Sequence, residues 1–182
     1  MMTESDLQEI RQKQKRRNQI LFSKESDCLH VLFDALASSP RRTVTCWAFA
    51  CAEPIKDELA ARYPLDPRPA EVFVLSKAWA QGEIKMPIAK RAILAVHAMA
   101  KDMPNDADAA LCHALGQACS VVHTPRHAPG LPIYELTAIV RRLGIDDCKA
   151  ALEQTILRYE QTLSWCQKHP DDGFSSWAPF LK

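Results

Sequence analysis

The chain has 182 residues, 47% of them apolar and 25% charged, with a formal net charge of +1. That length predicts one domain able to bury a core without metals or disulfides. The near-neutral balance supplies no global field for nucleic acid or a membrane surface, and no apolar run reaches the roughly 20 residues that span a bilayer.

The opening residues, MMTESDLQEI, are polar and acidic and do not read as a signal peptide, so a cytoplasmic protein is expected. Thr3 and Asp6 have the spacing of a capping box and predict a polar, frayed helix or arm from Thr3 to Arg17. Its second half, Arg11 to Arg17, is a basic run. Such a run can touch phosphate, but it carries no interleaved aromatic residue, and a solvated helix face is the simpler reading. Residues 1–24 are therefore expected to form a terminal arm or helix, and residues 25–182 a single helical domain.

A helix is expected over Glu25 to Ala37, with Cys28, Leu29, Leu32, Phe33 and Leu36 on one face. Val44, Trp47, Ala48 and Cys51 recur at helical spacing, and Pro54 is expected to split this helix from a second piece, Ile55 to Tyr63. Pro64, Pro67 and Pro69 make a stiff connector, with Asp66 as N-cap and Pro67 at the first helical position. The next helix, Arg68 to Gln81, is apolar on several sides and is expected at the centre of the core; Gly82 is a left-handed stop.

Pro87 opens a helix bearing Ala92, Val96 and Met99, closed by Met103-Pro104. Asn105 or Asp106 caps the following one, which ends before Pro125 and places Cys112, Gly116, Cys119 and His123 on one stripe. Pro132 opens a helix ending at Gly144, and Asp146 or Asp147 starts a long last helix, with a C-terminal helix and aromatic tail over 145–182. Phe174, Trp177, Phe180 and Leu181 are too apolar to remain in solvent and are expected to pack back onto the body. No stretch shows strand-like alternation, and no repeat of solenoid length occurs. The predicted fold is all-α: a multi-helix bundle of antiparallel helical hairpins in a single domain.

Seven cysteines, Cys28, Cys46, Cys51, Cys112, Cys119, Cys148 and Cys166, include no CxxC pair, and most lie in helical apolar patterns. They read as reduced, buried thiols rather than a disulfide framework. His123 and His127 have the i, i+4 spacing that could place two imidazoles on one metal, with His97 and Cys119 as the remaining candidate ligands. Pro125 between them argues that the helix ends first, so that both instead cap its end. His97 borders an apolar face and reads as a boundary residue, and His113, next to Cys112, needs no special role. No nucleophile elbow, Walker loop or Rossmann glycine pattern is present. The expectation is a protein with no catalytic residue and no cofactor.

One further signal is collective. Arg41-Arg42, Trp47-Ala48-x-x-Cys51-Ala52-Glu53, Asp66-x-Arg68-Pro69 and Ala78-Trp79-Ala80-x-Gly82-Glu83-Ile84 occur in order. Ala95-x-His97-Ala98, Gly116, His123-x-x-x-His127-Ala128 and Tyr134 follow. Together, over about residues 41–138, this series resembles the bacterial immunity-protein-five-like family of helical immunity proteins. Gln117 stands where many such sequences are expected to carry a second histidine. The first forty residues and the last helix with its tail lie outside the resemblance. The resemblance implies a small helical cytoplasmic protein that neutralises a cognate polymorphic toxin, and it carries over no catalytic residue. On this reading the partner is a toxin protein, with Phe174, Trp177 and Phe180 as candidate contact residues; self-association is left open. Two alternatives remain at this stage: a metal-dependent helical enzyme using His97, His123 and His127, and a nucleic-acid-binding module using Arg11–Arg17.

Overall fold

The computed structural model describes residues 2–181. Among them are eight α-helices and no strand: α1 (Glu4–Lys15), α2 (His30–Ser38), α3 (Arg41–Arg62), α4 (Arg68–Gln81), α5 (Met86–Met99), α6 (Asp106–Ser120), α7 (Gly130–Leu143) and α8 (Lys149–Lys168). The expected all-α bundle is what forms. No helix among the described residues is long and apolar enough to cross a membrane.

The core is organised on α3 and α6. In α3, Val44, Trp47, Ala48, Cys51, Ala52, Ile55 and Leu59 are all buried, a stripe spaced by three and four residues. In α6, Ala107, Ala110, Leu111, Ala114, Leu115, Gly116, Ala118 and Cys119 are buried. Their small side chains let α3, α4, α5 and α7 all pack on this one helix. The helix expected at the centre, α4, is instead one-sided: Val72, Phe73, Ser76, Trp79 and Ala80 are buried, while Val74 is 62% exposed. Apolarity all round did not make it central, because centrality here depends on small residues that admit neighbours on several sides.

Several boundaries differ from expectation for local reasons. Pro54 does not split α3, which runs unbroken past it. Pro54 and Ala50, the residue four earlier whose carbonyl loses its intrahelical donor, both face solvent, so water can take the donor's place. Helix α2 starts at His30 after a 3₁₀ turn over Asp27–Leu29, not at Glu25. Helix α4 is capped at Pro67, yet Asp66 still acts there: its Oδ1 accepts the Arg68 amide at 3.0 Å. Helix α7 begins at Gly130, ahead of Pro132, and α8 begins at Lys149 behind Cys148. Gly82 takes the left-handed conformation at φ 83°, as a helix stop requires.

Of the arm or helix expected at the N-terminus, the helix forms. The Thr3–Asp6 capping box forms, Leu7 and Ile10 enter the core, and Arg11 bonds Glu4 at 2.9 Å and Asp146 at 3.2 Å. Lys13 pairs with Glu9 at 2.6 Å, which leaves only part of the basic run unpaired.

Candidate functional site

Three of the six histidines, His97, His113 and His127, gather where α5, α6 and α7 meet. His97 projects from α5 toward α6, and its Nδ1 lies 2.9 Å from Nδ1 of His113. One nitrogen must donate and the other accept, so the two neutral rings carry opposite tautomers. His113 in turn packs on Tyr134 of α7, ring centres 5.1 Å apart. His127, in the 3₁₀ turn after α6, has its Nδ1 3.0 Å from Gln117 Oε1; the amide oxygen accepts, so that nitrogen carries the proton.

Two glycines make the room. A Cβ on Gly116 would lie 2.5 Å from Nε2 of His97, and a Cβ on Gly130 would lie 2.6 Å from Cγ of Gln117. The absent methyl at 116 lets an imidazole lie flat on α6, and the one at 130 lets α7 start against Gln117. Burial, with the fields of His113 and His127 added, pushes His97 down to about 4. Burial lowers His113 as well, and burial with His123 and Lys24 lowers His127. The cluster is therefore neutral at physiological pH.

The other candidate ligands lie elsewhere. Helix α6 ends at Ser120, so His123 and His127 do not share a helix. His123 is exposed and stacks over Trp79 at 6.4 Å. Cys119 is 1% exposed, and burial pushes its thiol up to about 12. Among the described residues, no group of three or more His, Cys, Asp or Glu side chains converges so as to hold a metal ion. His113, set aside in the sequence because it adjoins Cys112, is the partner of His97. The same argument about adjacent positions explains it: Cys112 faces the core, so His113 must face α5.

The tail folds back as expected. Ala178 donates its amide to Ala80 O at 2.8 Å, and Trp177 is 8% exposed with its Nε1 bonded to Asp171 Oδ1 at 2.6 Å. Phe174 meets Phe49 edge-on at 5.5 Å. Phe180 packs on Trp79 at 5.7 Å yet stays 44% exposed. Arg41 joins tail and body: its guanidinium donates to Val122 O, His123 O and Phe180 O at 2.9, 2.7 and 3.1 Å. The first two are carbonyls just past α6, left without helical donors.

Two polar clusters escaped the sequence reading, one partly buried and one built on a buried carboxylate. Glu135 of α7 accepts Arg158 Nη2 at 2.6 Å and also bonds the Tyr159 hydroxyl, while Arg158 reaches Cys51 O at 3.4 Å. Trp47 Nε1 donates to Tyr159 O at 3.0 Å. Burial pushes the Glu135 carboxyl above its ordinary range despite Arg158, so its charged form depends on that guanidinium. In the second cluster, Asp108 is 2% exposed and is bound by Tyr63, Asn105, Arg62 and Arg142 at 2.6, 3.0, 3.3 and 3.2 Å. Burial alone would raise Asp108, but these bonds and charges outweigh it and hold the carboxyl low. The Asn105-x-x-Asp108 spacing was the available signal for this second cluster. For Glu135 there was none, because its partners lie on other helices.

No curated protein and no solved structure matches the chain. A family model described as Imm-5 like putative immunity protein matches residues 34–162. The match extends past the resemblance seen in the sequence, from the second half of α2 into α8, and so takes in Arg158 and Tyr159. A match over that share of the chain settles membership: the chain belongs to the Imm-5 like immunity protein family.

Proposed function

We propose that this protein binds and neutralises a cognate bacterial polymorphic toxin in the cytoplasm, by occlusion and without catalysis. The observation that carries this reading is the family match over residues 34–162. The arrangement of the motif residues supports it. His97, Gly116, Trp47 and Trp79 are engaged with one another or with the core, as scaffold residues would be. A preorganised helical scaffold loses little entropy on docking, which favours a tight complex. Of the three tail aromatics, Phe180 remains presented to a partner, while Trp177 holds the tail in place. Aromatic anchors of this kind dominate many interfaces.

The test is co-expression with the toxin domain from the same locus. Growth should be restored and the two proteins should co-purify. Phe180→Ala should weaken the complex by far more than it weakens the unbound fold, where its ring also packs on Trp79. A toxin that is neither bound nor neutralised would sink the reading.

A further inference from the structure

Cys46 of α3 and Cys166 of α8 lie 120 residues apart in sequence, yet their sulfurs approach to 3.1 Å. Both are buried, at 3% and 0% exposure. The family match ends before Cys166, so the pair is not part of the shared motif. Two thiols that merely fill a core have no reason to seek each other, since free cysteine packs as a small hydrophobe. None of the other five cysteines shares a sulfur–sulfur hydrogen bond among the described residues. Both sulfurs sit on long helices held together by the Trp47–Tyr159 contact, so the approach is built into the α3–α8 packing. A bond length of about 2.05 Å is reached by closing the gap by roughly 1 Å, within the reach of side-chain rotation.

We propose that Cys46 and Cys166 form a reactive dithiol that closes to an intramolecular disulfide, fastening α3 to α8, when it meets a low-molecular-weight disulfide such as glutathione disulfide. Cys46 is the attacking sulfur. It has a hydrogen-bonding thiol on one side, and it borders the turn after α8, 3.4 Å from Asp172 O and 3.8 Å from His169 O. In the resting pair the Cys46 S–H donates to Cys166; once Cys46 has lost its proton the Cys166 S–H donates back, which lowers the Cys46 thiol and raises its partner. The Cys46 thiolate attacks one sulfur of the oxidant, forming a mixed disulfide and releasing one glutathione thiolate. Cys166 then loses its proton to that thiolate or to water. Its sulfur attacks the Cys46 sulfur and expels the second glutathione. In sum, two protein thiols and one glutathione disulfide give one protein disulfide and two glutathione thiols. The covering turn is pinned by two indoles, Trp165 Nε1 to Asp172 Oδ2 at 2.8 Å and Trp177 Nε1 to Asp171 Oδ1 at 2.6 Å, so the oxidant enters as this turn opens.

The experiment treats the folded full chain with excess glutathione disulfide at mildly alkaline pH, then alkylates, denatures and maps the cysteines by mass. The expected result is loss of two of the seven free thiols, a peptide linking Cys46 to Cys166, and full recovery on reduction. Cys166→Ala should stop the reaction at a stable glutathione adduct on Cys46. Cys46→Ala should leave Cys166 unmodified. Alkylation of all seven thiols in the treated wild type would overturn the proposal. So would a link between any other pair, or a glutathione adduct persisting on either residue of the wild-type protein.

Discussion

A single methyl group separates this protein from one that cannot close its histidine pocket. Placing Cβ on Gly116 forces the whole His97 ring to move, because Nε2, Cε1 and Cδ2 all lie within 2.8 Å of it. The ring cannot move without losing its 2.9 Å bond to His113. Gly116→Ala should therefore cost about 1–3 kcal/mol by urea denaturation, the range for overpacking. In the His97→Ala background the penalty should largely disappear, because the obstructing ring is gone. Equal penalties in both backgrounds would mean that the contact does not set the cost. The same ring makes stability pH-dependent. His97 is pushed down from 6.5 to about 4, so as the pH falls through that window the unfolded chain takes up a proton that the folded pocket refuses. The contribution is complete above 6.5 and fully lost below about 4. After allowance for partial exposure, His97 should account for on the order of 2 kcal/mol. The Asp66 and Asp108 carboxyls, held low in the fold, lose their contributions only at lower pH. His97→Asn should reduce the slope of the stability curve between neutrality and the carboxylate range, leaving the part contributed by His113 and His127. An unchanged slope there would assign the acid sensitivity to other groups.

Helices in this molecule are joined by polar clasps as well as by apolar stripes. One links α7 to α8 and α3 through Glu135, Arg158, Tyr159 and the Cys51 carbonyl. The other links α3, α6 and α7 through Arg62, Asp108 and Arg142. Removing Arg158 leaves the Glu135 carboxylate without its guanidinium, but the pair is only partly buried, so Arg158→Ala should cost about 1–3 kcal/mol. Arg158→Met with Glu135→Leu should cost clearly less, since both charges go together. If the double variant were as unstable as the single one, the clasp would not be an ion pair in energetic terms. These clasps also mark the limit of what the sequence discloses. Helices α4 and α5 were legible because Gly82, Pro87 and the 3.6-residue period are local signals. Pro54 misled because its effect depends on which side of α3 meets water, and α4 misled because burial depends on what its neighbours present. His113 was passed over, although its meeting with His97 follows from the packing of α5 on α6. Contacts between helices distant in the chain leave no mark in the local pattern of either one.

At the scale of the whole molecule, the helices and the returned tail form one core, and the family match spans most of it. Trp47, Trp79 and Gly116 of the motif are buried in that core, so on the proposed function they are scaffold, and recognition falls to outward faces such as that of Phe180. A binder of this kind acts by stoichiometry, whereas an enzyme acts by turnover. Titrating the purified protein into a fixed amount of the toxin encoded at its locus, and following toxin activity, separates the two. Toxin activity should fall linearly with added protein and reach its floor at a fixed molar ratio, with no further loss on longer incubation. Continued loss of toxin activity at protein levels far below the toxin concentration, or no loss at any ratio, would contradict stoichiometric binding.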